Sequence, residues 1–249
     1  MSGHSFRQAL SYKVQGDFQK CVEHLEKLLN KALSNEERAG ILMNMATCKL
    51  SAGDVVGARK AVSEAEYLIP TEAREQRMYV DYYRPAEAAY TQNYPVAENL
   101  LKSFLETYGD LLEMPDHIGL RVEAEQRLAF SLANDQQFME SGIILDRLVG
   151  LNPPDLDMQR VAFFRGLCHA KLNNSSQAIR WFELALGGAD EQLSLEASYW
   201  LGTLYLGLSN SAMSRKHFEE VINGPADSSL KEEARRFLSA ISRGGGKPS

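Results

Sequence analysis

A helix-pair pattern recurs along this chain at a spacing near 37 residues, clearest over Ala39–Pro70 and Val122–Pro153 and partly repeated around Leu201, Gly202 and Tyr205. A period of this length constrains the fold more than any other feature. One helical hairpin cannot bury its apolar face alone, so successive hairpins must stack and share a continuous core. The expected function then lies in surfaces that meet a partner.

The helices are legible from periodicity and punctuation. Over Asn35–Ala52 the apolar residues Ala39, Leu42, Met43, Ala46 and Leu50 recur at three- and four-residue steps. Ser34 followed by Glu37 forms a capping box at its start. Gly53-Asp54 breaks the chain, since glycine turns cheaply and aspartate caps the next helix. A second helix carries Val55, Ala58, Val62 and Ala65 and halts before Pro70. No stretch alternates apolar and polar residues for long enough to read as a strand.

The unit so defined resembles the tetratricopeptide repeat. The residues that carry the resemblance are Leu42, Met45, Ala46, Gly53, Val55, Ala58, Val62, Ala65 and Pro70, with Lys49 departing where the family prefers tyrosine. The first unit contributes Tyr12, Gly16, Phe18, Cys21, Leu25 and Leu28. The fourth gives Leu128, Ala129, Leu132, Phe138, Leu145, Leu148 and Pro153, and the sixth gives Leu201, Gly202, Tyr205 and Phe218. The third (Tyr94, Ala97, Leu101, Phe104) and fifth (Gly166, Ala178, Phe182, Ala185) match less fully. Units start near residues 2, 39, 78, 122, 159 and 195, so their spacings of 37, 39, 44, 37 and 36 all exceed the family's length, which is about 34 residues. The resemblance implies an all-α, right-handed α-solenoid of about six hairpins.

Two features interrupt the array. Gly109–Asp116 is the widest gap and reads as a loop joint, dividing the chain into an N-terminal half, 1–110, and a C-terminal half, 116–243. Pro85 falls inside the expected helix Thr71–Tyr90, where a proline costs about 3 kcal/mol and kinks the axis. At the far end, a capping box at Ser229–Glu232 opens a helix with Leu230, Ala234, Phe237, Leu238 and Ile241 on one stripe, suited to capping the last unit. The glycine-rich segment 244–249 reads as a flexible tail; without a strand before it or a helix after it, it is no phosphate loop.

Charge and composition exclude several functions. A net charge of −6 leaves no basic stripe for nucleic acid and disfavours anionic membranes. No apolar run approaches the length of a membrane span, and the first residues lack the charged and apolar regions of a secretory leader. Cys21, Cys48 and Cys168 are odd in number and form no CxxC, so they read as small hydrophobes of a reduced, cytoplasmic protein. The five histidines have no metal-ligand spacing, and no nucleophile motif occurs. We therefore expect no catalytic residues, no metal and no cofactor.

In the family that the chain resembles, the first helix of each unit lines a concave groove. Carried over one residue at a time, its inward positions give Phe6, Leu10 and Lys13, then Met43 and Thr47, then Tyr79, Tyr82 and Ala86, with Tyr90 just beyond. Later units give Glu123, Gln126 and Phe130, then Arg160, Phe163 and Leu167, then Glu196, Tyr199 and Thr203. Some members clamp acidic chaperone tails with lysines, asparagines and an arginine; here those places hold Phe6, Leu10, Met43, Thr47, Tyr79 and Tyr82. The expected partner is a protein or peptide offering apolar side chains to the aromatic positions, with Arg160, Gln126 and Glu123 setting register. The alternatives are self-association into an assembly, and a chaperone for a secreted or assembly substrate.

Overall fold

A computed structural model describes residues 3–32, 34–153, 156–225 and 227–242. Every described element is helical: α1 (Gly3–Val14), α2 (Phe18–Leu29), α3 (Asn35–Ser51), α4 (Val55–Leu68), α5 (Arg74–Tyr90), α6 (Tyr94–Thr107), α7 (Gly109–Leu112), α8 (Ile118–Asn134), α9 (Phe138–Leu151), α10 (Met158–Lys171), α11 (Ser175–Ala185), α12 (Glu191–Gly207), α13 (Ser211–Asn223) and α14 (Ser228–Ser242). A single 3-10 turn, Pro115–His117, precedes α8. Among the described residues these make six hairpins (α1/α2, α3/α4, α5/α6, α8/α9, α10/α11 and α12/α13) closed by α14. No described helix is long and apolar enough to cross a membrane.

The six hairpin turns share one construction. Each has a left-handed residue two positions after the first helix ends and two before the second begins: Gly16, Gly53, Gln92, Gln136, Asn173 and Ser209. The following amide reaches back to the last turn of the first helix, as in Asp54 N to Lys49 O at 2.9 Å and Asn174 N to His169 O at 2.8 Å. The next side chain then caps the second helix; Asp17, Asp54, Asn174 and Asn210 accept from Lys20, Gly57, Gln177 and Met213 amides. Successive left-handed residues stand 37, 39, 44, 37 and 36 apart, the same spacings that the sequence pattern predicts.

The chain forms two compact units, Met1–Arg127 and Leu128–Ser249, with the division inside α8. In the first, α1, α2 and α3 bury Cys21, Leu25, Ile41 and Met45, while α3, α4 and α5 bury Leu42, Ala46, Ala58, Ala65 and Tyr83. In the second, the glycines Gly166 of α10 and Gly202 of α12 receive the rings of Phe182 and Phe218, where an added Cβ would meet ring carbon at 2.8 Å. The stripe of α14 packs as expected, with Ala234, Phe237 and Ile241 on Phe218, Val221 and Leu195.

Several local expectations are corrected. The segment Gly109–Asp116 is not an open loop: α7 and the 3-10 turn occupy most of it, with Leu112 and His117 buried. The cap of α14 is Asp227, whose Oδ1 accepts from Leu230 N at 2.7 Å, because an aspartate ahead of the serines competes for the free amides. Helix α5 begins at Arg74 and not at Thr71, while Pro85 lies buried inside it, where the sequence places it. Cys21 and Cys48 are joined as a disulfide between α2 and α3, with Cα atoms 6.6 Å apart, so two of the three cysteines are more than small hydrophobes. Cys168 is buried and free. The expected tail at 244–249 lies outside the described residues.

Candidate functional site

In the N-terminal unit two of the expected positions, Met43 on α3 and Tyr79 on α5, line one pocket. This pocket, of about 640 Å³, lies between α3 and α5, over the end of α4. Its apolar floor comes from Ala39 and Met43 on α3 and from Leu68, Ile69 and Pro70, where α4 ends and the proline stops the ladder. Its polar lining is Asn35, Glu36, Asn44, Glu75, Gln76 and Tyr79. Met43 is half-buried and Tyr79 is 42% exposed, so both present side-chain surface to a visitor.

Tyr79 is held in place. Its hydroxyl lies 3.0 Å from Nδ1 of His117, and the rings meet edge to face at 5.9 Å. On the other side of that ring, His117 Nε2 stands 3.2 Å from Glu75 Oε1. His117 is buried and its two nitrogens both have partners, so swinging the phenol away would leave Nδ1 of a buried ring unpaired. Burial pushes the Tyr79 hydroxyl above its ordinary pKa, so it stays neutral at physiological pH.

The same unit holds a second polar group. Lys13 Nζ lies 3.4 Å from Thr47 Oγ1, and burial lowers its pKa, with Glu123 opposing that shift. Glu123 holds Arg127 at 2.8 Å, and that guanidinium lies 5.9 Å from the Tyr82 ring centre. Tyr82 is buried against Phe104 at 5.3 Å, and its hydroxyl has no hydrogen-bond partner among the described residues.

The sequence-predicted positions thus separate into two kinds. Met43 and Tyr79 line the pocket, and Tyr90 is 44% exposed at the end of α5, close to Gly53. Phe6 packs half-buried against the core of α1, α2 and α3. Tyr82 and Gln126 are buried and offer little area to a partner. In the C-terminal unit Phe163 is buried between Phe164 and Phe182, and Phe130 stacks on Phe164 at 4.5 Å. Tyr199 packs against Phe218 and Phe237, under the capping helix. Arg160 is exposed near Asp157 and Asp190, each 3.8 Å away. Sequence reasoning missed Glu36, Glu75 and His117. Only His117 had a signal, its place in the widest gap between units.

A family model for the tetratricopeptide repeat matches residues 5–32, which span α1 and α2. The chain is similar in fold to NprR in complex with its cognate peptide NprX, with 13% identity, 97% of this chain and 72% of that chain covered, and a TM-score of 0.61. A second solved structure is the C-terminal part of a TPR repeat-containing protein from Cytophaga hutchinsonii, with 13% identity, 91% and 98% covered, and a TM-score of 0.38. No curated protein matches the chain in sequence. The family match covers the first hairpin, and the six turns of one construction and the fold shared with NprR show an all-α array of stacked helical hairpins among the described residues.

Proposed function

We propose that the chain is a non-catalytic binding module that receives a peptide segment of a partner protein on the first-helix face of its N-terminal unit. The observation that carries this reading is the open pocket between α3 and α5, lined by Met43 and by a Tyr79 whose hydroxyl is already fixed. Preformed pockets with apolar floors and a few oriented polar groups are the usual form of a binding site, and fixing the side chains beforehand lowers the entropy lost on binding. The fold supports the same reading, since the similar NprR is known in complex with a peptide. Buried Tyr82 and Gln126 of the same unit offer little contact area in this scheme.

The test is a displayed peptide library panned against the full chain, followed by titration of the selected peptides. Tyr79→Ala should weaken them at least tenfold, since truncating a central aromatic contact costs about 2 kcal/mol or more. Failure to select any peptide, or selected peptides indifferent to Tyr79→Ala and Met43→Ala alike, would discard the reading. Self-association is a second reading, favoured by Met139 and Ile143, which are 69% and 65% exposed one turn apart on α9. Light scattering over a concentration series decides it.

A further inference from the structure

We infer that the pocket between α3 and α5 receives a lysine or arginine side chain of the bound segment, its aliphatic stem on Met43, Leu68 and Ile69 and its charge beside Glu36 and Glu75. The inference rests on the peptide-binding reading above and adds the chemistry of the partner to it.

Charge is the first argument. Glu36 and Glu75 are the charged residues of the lining, and no lysine or arginine joins them. The nearest cations on α5 are already engaged. Arg74 pairs with Asp110 at 2.5 Å, and Arg77 binds Glu66 and the carbonyl of Ile69, both at 3.3 Å. Glu36 has no ion-pair partner among the described residues, and Glu75 meets only His117, with 61% of its side chain still exposed. Two carboxylates therefore face the pocket without a permanent counter-charge.

Hydrogen bonding points the same way. Asn44 gives its Nδ2 to the carbonyl of Gly40 at 2.8 Å, which leaves its Oδ1 as an acceptor. Carboxylates accept only, so the open valences at Glu36 and Glu75 call for a donor-rich group, with Asn44 Oδ1 a further acceptor. Lysine offers three N–H donors and arginine five.

The opposing term is the helix ends. Asn35 and Ala73, at the starts of α3 and α5, also line the pocket. Each helix start carries about half a positive charge, so two of them offset about one carboxylate and leave about one unit of negative charge. Ser34 further satisfies the α3 start by accepting from Glu37 N at 3.1 Å. The balance favours a cation. The floor adds a demand for an aliphatic stem, and lysine and arginine combine a long methylene stem with a charged end.

The experiment uses the full chain labelled at methionine methyl groups and two small probes, N-acetyl-lysine methylamide and its norleucine counterpart. The lysine probe should shift the Met43 methyl signal with at least tenfold higher affinity than norleucine, and the double variant E36Q/E75Q should abolish that preference. Unchanged norleucine binding by the same variant confirms that its pocket is intact. Equal affinity of the two probes in the wild type, or a lysine preference that survives E36Q/E75Q, overturns the inference. The two levels fail separately. Peptides that bind through Tyr79 while the probes bind alike leave the peptide groove standing and remove the cation. A lysine preference at Met43 with no peptide selected keeps the cation site and removes the peptide groove.

Discussion

Four of the six hairpin turns place a side chain where glycine would be cheaper. Gln92, Gln136, Asn173 and Ser209 adopt φ between 59° and 65°, as Gly16 and Gly53 do at 76° and 87°. A left-handed residue with a Cβ costs about 1 kcal/mol, and asparagine is the mildest of these choices. Gln136→Gly is therefore expected to stabilise the protein by about 0.5–1 kcal/mol, read as a higher denaturant midpoint, while Asn173→Gly gives less. An unchanged or lower midpoint for Gln136→Gly would show that the side chain contributes packing worth as much as the backbone strain. Residues of this kind explain why the turns were readable where glycine or aspartate stood, at Gly53-Asp54, and obscure where glutamine did, at Gln92 and Gln136.

Among the elements, the disulfide ties the first hairpin to the second. Cys21 lies on α2 and Cys48 on α3, 27 positions apart in sequence, and both side chains sit in the core of α1, α2 and α3. Closing a loop of that length restricts the unfolded chain by about 3 kcal/mol. Guanidinium melts with and without a thiol reductant should differ by about that amount, and the Cys21→Ala/Cys48→Ala double variant should match the reduced protein. Identical melts would mean that the pair contributes no constraint. Helix existence and pairing were legible because the apolar period and the caps agree; the disulfide was not, since spacing along the sequence carries no information on which two buried cysteines face each other. The groove residues were half legible. Inward positions on a first helix are set by period, yet whether such a ring lines a pocket, as Tyr79 does, or packs on its neighbours, as Tyr82 and Phe163 do, depends on how closely the helices pack.

For the molecule as a whole, the division inside α8 changes where the chain should be cut. The sequence suggests a boundary near residue 110, but His117 belongs with the N-terminal unit, where it anchors Tyr79, and Arg127 lies over Tyr82. A fragment of residues 1–134 is expected to melt cooperatively and keep its helical circular dichroism. A fragment of residues 1–110, stripped of His117 and α8, should melt at a lower temperature or fail to melt cooperatively. Equal melting of the two would place the boundary back at the widest gap.

The constant hairpin turn also governs how such a chain can change. Since every turn keeps the same offsets to its two helices, the differences among spacings of 36 to 44 residues fall in helix lengths and in the connections from one hairpin to the next. One of those connections, Ile69-Pro70 with Ala73, forms part of the pocket floor, and another supplies His117 behind Tyr79. Insertions and deletions accumulate most easily in just these segments. The chain can thus alter what it recognises by adjusting linker length, leaving the packing of its hairpins untouched.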